Sequence, residues 1–161
     1  MRYEEIGRSG IRASVVGFGT WVTGGWLWGG ANEQESVQAI HCAIDQGISL
    51  IDTAPVYGFG RSEEIVGKAI AGKRDKVVLA TKCGQIWHTS KGRHAFDSDG
   101  KSIYHYLGPE SVRYELEQSL RRLHTEYVDI YFIHVPDPTP PAVQTVEDLS
   151  RLKKQGKIRV S

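Results

Sequence analysis

Three short apolar runs, each ending on a polar side chain, constrain this chain more than anything else in it. Leu50-Ile51 runs into Asp52, Val77 to Thr81 into Lys82, and Tyr127 to Ile133 into His134. Apolar runs of this length, bounded by Gly, Pro or charge, read as strands of a buried parallel sheet. A carboxylate is an odd end for a buried strand. Pro55 and Gly58 then force a turn that sets Tyr57 on a loop directly above it. If the three strands are neighbours at the usual spacing of about 4.8 Å, Asp52, Lys82 and His134 lie within about 10 Å of one another, with Tyr57 overhead.

Helical periodicity fills the gaps between these strands. Asn32, with Glu35 three residues on, has capping-box spacing and opens a helix with Val37, Ile40, Ala43 and Ile44 on one face. Ser62 is the N-cap candidate of a second helix, followed by Glu63 and Glu64, with Ile65, Val66, Ala69 and Ile70 as its stripe. Pro109 starts a third, with Val112, Leu116, Leu120 and Leu123 inward. Thr139-Pro140-Pro141 starts a fourth, which carries Val143, Val146, Leu149 and Leu152.

The rest of the chain is quickly placed. Tyr3 to Ile6 and Ile11 to Ser14 flank Gly7-Arg8-Ser9-Gly10, the pattern of a small hairpin. Val15 to Gly19 reads as the first buried strand, leading into a loop rich in Gly and Trp. Gly84 to Leu107 reads as a long loop, and loops of that length are usually functional or disordered. Lys157 to Ser161 looks like a strand only just begun.

Alternating strands and helices with right-handed crossovers make a parallel sheet with helices on its outer side. Polar groups at the C-terminal ends of consecutive strands suit a barrel, which gathers its strand ends around one mouth. A dinucleotide-binding open sheet fits poorly: Gly17-Phe18-Gly19 lacks the third glycine, and Gly58-Phe59-Gly60 precedes Glu63. The expected fold is therefore α/β, of the (β/α)8 TIM-barrel lineage. A complete barrel takes about 250 residues, so residues 1–161 read as its first half: hairpin, four strand-helix units and the start of a fifth strand.

Composition narrows the partners. A net charge of +1 gives no single-sign field to attract nucleic acid or an anionic membrane, and a small molecule is the expected ligand. Cys42 and Cys83 have no metal-ligand spacing and read as reduced thiols of a cytoplasmic protein. His41, His88, His94, His105 and His124 show none either, so no metal is expected. Trp21, Trp26, Trp28 and Trp87 lie in loops over the strand ends, as the wall of an apolar pocket would.

Several ordered segments together resemble the aldo-keto reductases: Gly17-Phe18-Gly19-Thr20-Trp21; Asp52-Thr53-Ala54-Pro55-Val56-Tyr57-Gly58 with Arg61-Ser62-Glu63-Glu64; Ala80-Thr81-Lys82; Tyr127 to His134; and Gly156-Lys157-Ile158-Arg159. The resemblance spans essentially the whole chain and implies reduction of an aldehyde or ketone with NADPH. It assigns catalysis to Asp52, Tyr57, Lys82 and His134, and sets Thr20, Trp21 and Asp52 beside the nicotinamide. A carbonyl receiving hydride needs a proton and positioned donors. Tyr57 would be the acid. Lys82, as an adjacent ammonium, would favour the phenolate, Asp52 would keep Lys82 aimed, and His134 would orient the substrate oxygen. The resemblance also implies that most cofactor contacts come from later strands.

Two other readings stand beside this one. Gly19 to Gly25 and Pro136-Asp137-Pro138 also resemble the potassium-channel β-subunits built on this barrel, in which an asparagine is expected at the place of His134. The second is a non-catalytic half barrel. Val78, Ala80, Ile130 and Phe132 should face a barrel interior left uncovered, and exposed edges and apolar surface would then drive self-association, for instance as a homodimer.

Overall fold

The computed structural model describes residues 1–25, 29–138 and 140–161. A hairpin of β1 (Tyr3–Glu5) and β2 (Arg12–Ser14) leads into β3 (Gly17–Gly19), α1 (Glu33–Asp45), β4 (Leu50–Asp52), α2 (Arg61–Ile70) and β5 (Val78–Cys83). Three short strands, β6 (Gln85–Ile86), β7 (Arg93–Ser98) and β8 (Lys101–His105), precede α3 (Pro109–Leu123), β9 (Val128–Ile133), α4 (Ala142–Lys154) and β10 (Ile158–Val160). β3, β4, β5, β9 and β10 form one parallel sheet in that order. Spatial order thus follows chain order, as in a barrel wall, with no reversal at a switch point. The architecture is a partial α/β barrel.

The sheet buries both faces. Ile51, Leu79 and Tyr131 face the helices, where they meet Ile40 of α1, Ile65 and Val66 of α2, and Leu116 of α3. α2 and α3 pack so closely that a Cβ on Gly67 would come within 2.5 Å of the Arg122 carbonyl oxygen. That spacing excludes any side chain there. On the inner face, Val78, Ala80 and Ile130 are buried against Ile11 and Ala13. This corrects the expectation of an uncovered interior: the N-terminal hairpin folds across it. Phe132 alone of the four stays open, at 46% exposed.

Three local expectations also change. Ser62 is not an N-cap, because Gly60, in a left-handed conformation (φ 103°), caps α2 two residues earlier. In α4, Val143 and Val146 are exposed, and Thr145, Asp148, Leu149 and Leu152 form the buried stripe. Polar anchors set that rotation: Thr145 donates to the Leu107 carbonyl, and Asp148 pairs with Arg151 at 3.0 Å and Arg113 at 3.4 Å. Thr139, expected to open this helix, lies outside the described residues, as do Trp26 and Trp28.

The segment from Gly84 to Leu107 is not a loop. β6, β8 and β7 form a three-stranded antiparallel sheet. Asp99 and Gly100, both at positive φ (49° and 73°), make the two-residue turn between β7 and β8. Two residues of that conformation match the right-handed twist of paired strands. The hairpin docks Ile103 onto Ala54 and Val56 of the Tyr57 loop.

Candidate active site

β4, β5 and β9 are adjacent, with Asp52 level with Ala80 and Lys82 level with Phe132. Their C-terminal ends therefore share one rim. Lys82 Nζ donates to Asp52 Oδ2 at 2.8 Å, to the Thr53 carbonyl at 2.8 Å and to the Tyr57 hydroxyl at 3.1 Å. Those bonds commit all three ammonium protons. The Lys82 side chain is 13% exposed and that of Asp52 35%, so the pair sits where water thins but still reaches the carboxylate.

The Tyr57 loop is held from both sides. Tyr57 N–H donates to the Ala54 carbonyl at 3.2 Å, and Ser62 N–H donates to the Tyr57 carbonyl at 3.2 Å. The buried Ser62 hydroxyl lies 2.8 Å from both the carbonyl and hydroxyl oxygens of Thr20 and 3.0 Å from Thr53 Oγ1. One small side chain thus ties the ends of β3 and β4 to the first turn of α2. Nothing local in the sequence marks Ser62 for this role.

His134 follows β9 directly. Its N–H donates to the Cys83 carbonyl at 2.9 Å, and its ring stands edge-on to Tyr57, centroids 5.8 Å apart at 86°. Burial, then the charge of Lys82 and lastly His105, push its pKa down to about 4. At neutral pH the ring is uncharged, with one N–H to donate and one nitrogen to accept. The four expected residues are therefore in one place: an ammonium linking a carboxylate to a phenol, with a neutral imidazole beside the phenol.

The three residues expected on the cofactor side divide. Trp21 is exposed and stacks on Tyr57, centroids 6.1 Å apart at 27°. Asp52 presents part of its carboxylate. Thr20 is fully buried, its hydroxyl donating to the Asp52 carbonyl at 2.9 Å, so it braces the strand end without presenting surface. A separate cavity of about 170 Å³ lies away from the four rim residues, lined by Pro55, Trp87, Glu115 and Arg122 among others. Among the described residues, no group of three or more His, Cys, Asp or Glu is placed to hold a metal ion, and no helix is long and apolar enough to cross a membrane.

Comparison with known proteins identifies the family. The family model described as "Aldo/keto reductase family" matches residues 15–160. The aldo-keto reductase YhdN of Bacillus subtilis (strain 168) is 47% identical over 161 residues, covering 99% of this chain and 45% of that protein. The NADH-specific methylglyoxal reductase of Escherichia coli (strain K12) is 42% identical over 165 residues, covering 99% and 50%. Among solved structures, the glycerol dehydrogenase AKR11B4 from Gluconobacter oxydans superposes with a TM-score of 0.84 at 42% identity, over 99% of this chain and 47% of that one. The chain spans about half the length of the relatives it matches. With the family model matching residues 15–160 and the fold shared at a TM-score of 0.84, this chain belongs to the aldo/keto reductase family.

Proposed function

We propose that this chain carries the proton-donating rim of a carbonyl reductase dependent on a nicotinamide dinucleotide, acting on small aldehydes or ketones. The observation that carries the reading is the Lys82 ammonium shared between Asp52 and Tyr57. Tyr57 is the general acid: its hydroxyl accepts from Lys82, and its own proton goes to the carbonyl oxygen as negative charge builds there. Lys82 stabilises the phenolate that remains, and Asp52 keeps Lys82 charged and aimed. The neutral His134 donates its ring N–H to the same oxygen and sets the angle at which the carbonyl approaches Tyr57.

The residues present fit the nicotinamide end of the cofactor. An exposed indole stacked beside the phenol offers a flat wall, and the half-exposed Asp52 carboxylate offers an acceptor for an amide or ribose hydroxyl. When bound, NADPH or NADH supplies the hydride. The names of the relatives support this class of reaction, one of them being NADH-specific, so the two dinucleotides belong in one test.

The test is Tyr57→Phe. Oxidation of NADPH and of NADH with methylglyoxal is followed at saturating cofactor, alongside quenching of tryptophan fluorescence by each dinucleotide. Loss of the acid is expected to lower kcat by about 10²–10⁴-fold while the quench persists. A variant as active as the unaltered chain would refute the assignment, and so would an unaltered chain that shows no quench at millimolar dinucleotide.

A further inference from the structure

We infer that Arg93 and His105, facing each other on the β7–β8 hairpin, form a recognition site for an anionic group, carboxylate or phosphate, carried by the carbonyl substrate. This rests on the reading of the Tyr57 rim as a carbonyl-reducing centre. It adds a substrate class to that reading.

The geometry starts from Ile103, which is fully buried against Ala54 and Val56 of the Tyr57 loop. Side chains alternate along a strand, so His105, two residues on, shares the face of β8 that is turned to that loop. Arg93 is the antiparallel partner of His105 and stands on the same face. Arg93 Nη2 lies 3.0 Å from His105 Nδ1. A guanidinium only donates, so Nδ1 accepts and the ring proton sits on Nε2.

Two hydrogen bonds bring this pair to the rim. Tyr106 N–H donates to the Gly84 carbonyl at 3.2 Å, and His134 N–H donates to the Cys83 carbonyl at 2.9 Å. The end of β8 and His134 thus flank the same turn, directly after Lys82. They are near enough that His105 weighs on the protonation of His134.

Charge selects the ligand. Lys82 has no proton left to offer, whereas Arg93 is exposed, and its bond to His105 uses one of five N–H donors. A planar donor fork of this kind matches carboxylate and phosphate oxygens in pairs. Asp137 is the carboxylate that opposes it at His105, but there the influence of Arg93 is the larger, and Asp137 Oδ2 accepts the Leu107 N–H at 2.9 Å. An aldehyde held by Tyr57 and His134 would therefore meet the exposed Arg93 guanidinium on the hairpin side.

The experiment pairs substrates matched in chain length: 4-oxobutanoate with butanal for a carboxylate, and glyceraldehyde 3-phosphate with glyceraldehyde for a phosphate. Arg93→Gln is expected to lower the anionic-to-neutral ratio of kcat/KM by about tenfold in at least one pair, and Arg93→Lys to recover part of it. A ratio unmoved in both pairs, while aldehydes are still reduced, overturns the inference and leaves the Tyr57 reading standing. No reduction of any of the four overturns the Tyr57 reading instead. Binding is read apart from turnover by NMR of the His105 imidazole, identified with His105→Gln. Either anionic aldehyde should shift that resonance in the unaltered chain and leave it unmoved in Arg93→Gln. A resonance that neither aldehyde shifts overturns the inference whatever the turnover.

Discussion

Two clusters of charge belong to the same parallel strands, and they are built differently. Near the start of β9, Asp129 is almost wholly buried: Oδ2 takes Arg74 Nη2 at 2.8 Å and the Leu79 N–H at 2.9 Å, and Oδ1 takes Arg159 Nη1 at 2.8 Å. At the other end, Lys82 is saturated, but Asp52 stays partly in water and the Tyr57 O–H has no acceptor among the described residues. A buried cluster whose every oxygen is met by a donor from the chain fixes a geometry. One that keeps surface and a proton to give can react. Composition does not separate the two, since each is a carboxylate with a basic partner; saturation does.

Exchanging the damage between the clusters is the strongest way to break this distinction. Lys82→Met is expected to cut kcat by about 10²–10⁴-fold and to leave the urea unfolding midpoint nearly where it was. Asp129→Asn is expected to cost about 3 kcal/mol of stability, because two arginines lose their counter-charge, with turnover per folded molecule preserved. If the two variants lose activity and stability in the same proportion, the clusters are not different in kind.

A smaller effect comes from two groups, His134 on the rim and the buried Glu115 behind it, that titrate in opposite senses. Burial pushes Glu115, which accepts the Gly84 N–H at 3.0 Å, up to about 8, and His134 is held down to about 4. Between its ordinary 4.5 and about 8, Glu115 keeps in the folded chain a proton that the unfolded chain has shed, so stability falls as pH rises through that window. His134 refuses, down to about 4, a proton that the unfolded chain takes up below 6.5, so its contribution falls as pH drops. The slopes oppose between 4.5 and 6.5, and Glu115 acts alone above. Unfolding free energy should therefore drop by about 2 kcal/mol from pH 6.5 to pH 8, and Glu115→Gln should flatten that stretch. An equal slope in both proteins would mean that the carboxyl is already ionised when folded.

What the sequence discloses follows the range of the interaction involved. Asp52, Lys82 and His134 are legible because each closes an apolar run, and Tyr57 because Pro55 and Gly58 fix its loop; these are signals within a few residues. The role of Ser62 is not, since its partner Thr20 lies 42 residues away and Ser-Glu-Glu has the look of an ordinary cap. The covering of Val78 and Ile130 by Ile11 is equally remote. The hairpin over the rim is a different case, for its turn signal, Asp99-Gly100, is plainly present. β7 and β8 are mostly polar, with Ile103 their one fully buried residue, so no alternation announces them as strands.

That turn supplies the smallest and most local of the expected effects. Gly100 sits at φ 73° with nothing within 4 Å of where a Cβ would stand, so Gly100→Ala meets no steric neighbour. Its cost is the left-handed backbone alone, about 1 kcal/mol. β7 and β8 hang on this connection, while Leu79 and Asp129 are held by the main sheet and its ion pairs. The penalty should therefore appear as local opening: faster amide exchange at Ile103 and His105, with the Leu79 amide unchanged. If Leu79 accelerates equally, hairpin and sheet open as one unit, and the rim is as rigidly built as the Asp129 end. If the hairpin alone loosens, the end proposed to react is also the one whose cover is held by a separate, weaker set of contacts, as a site that must admit a substrate requires.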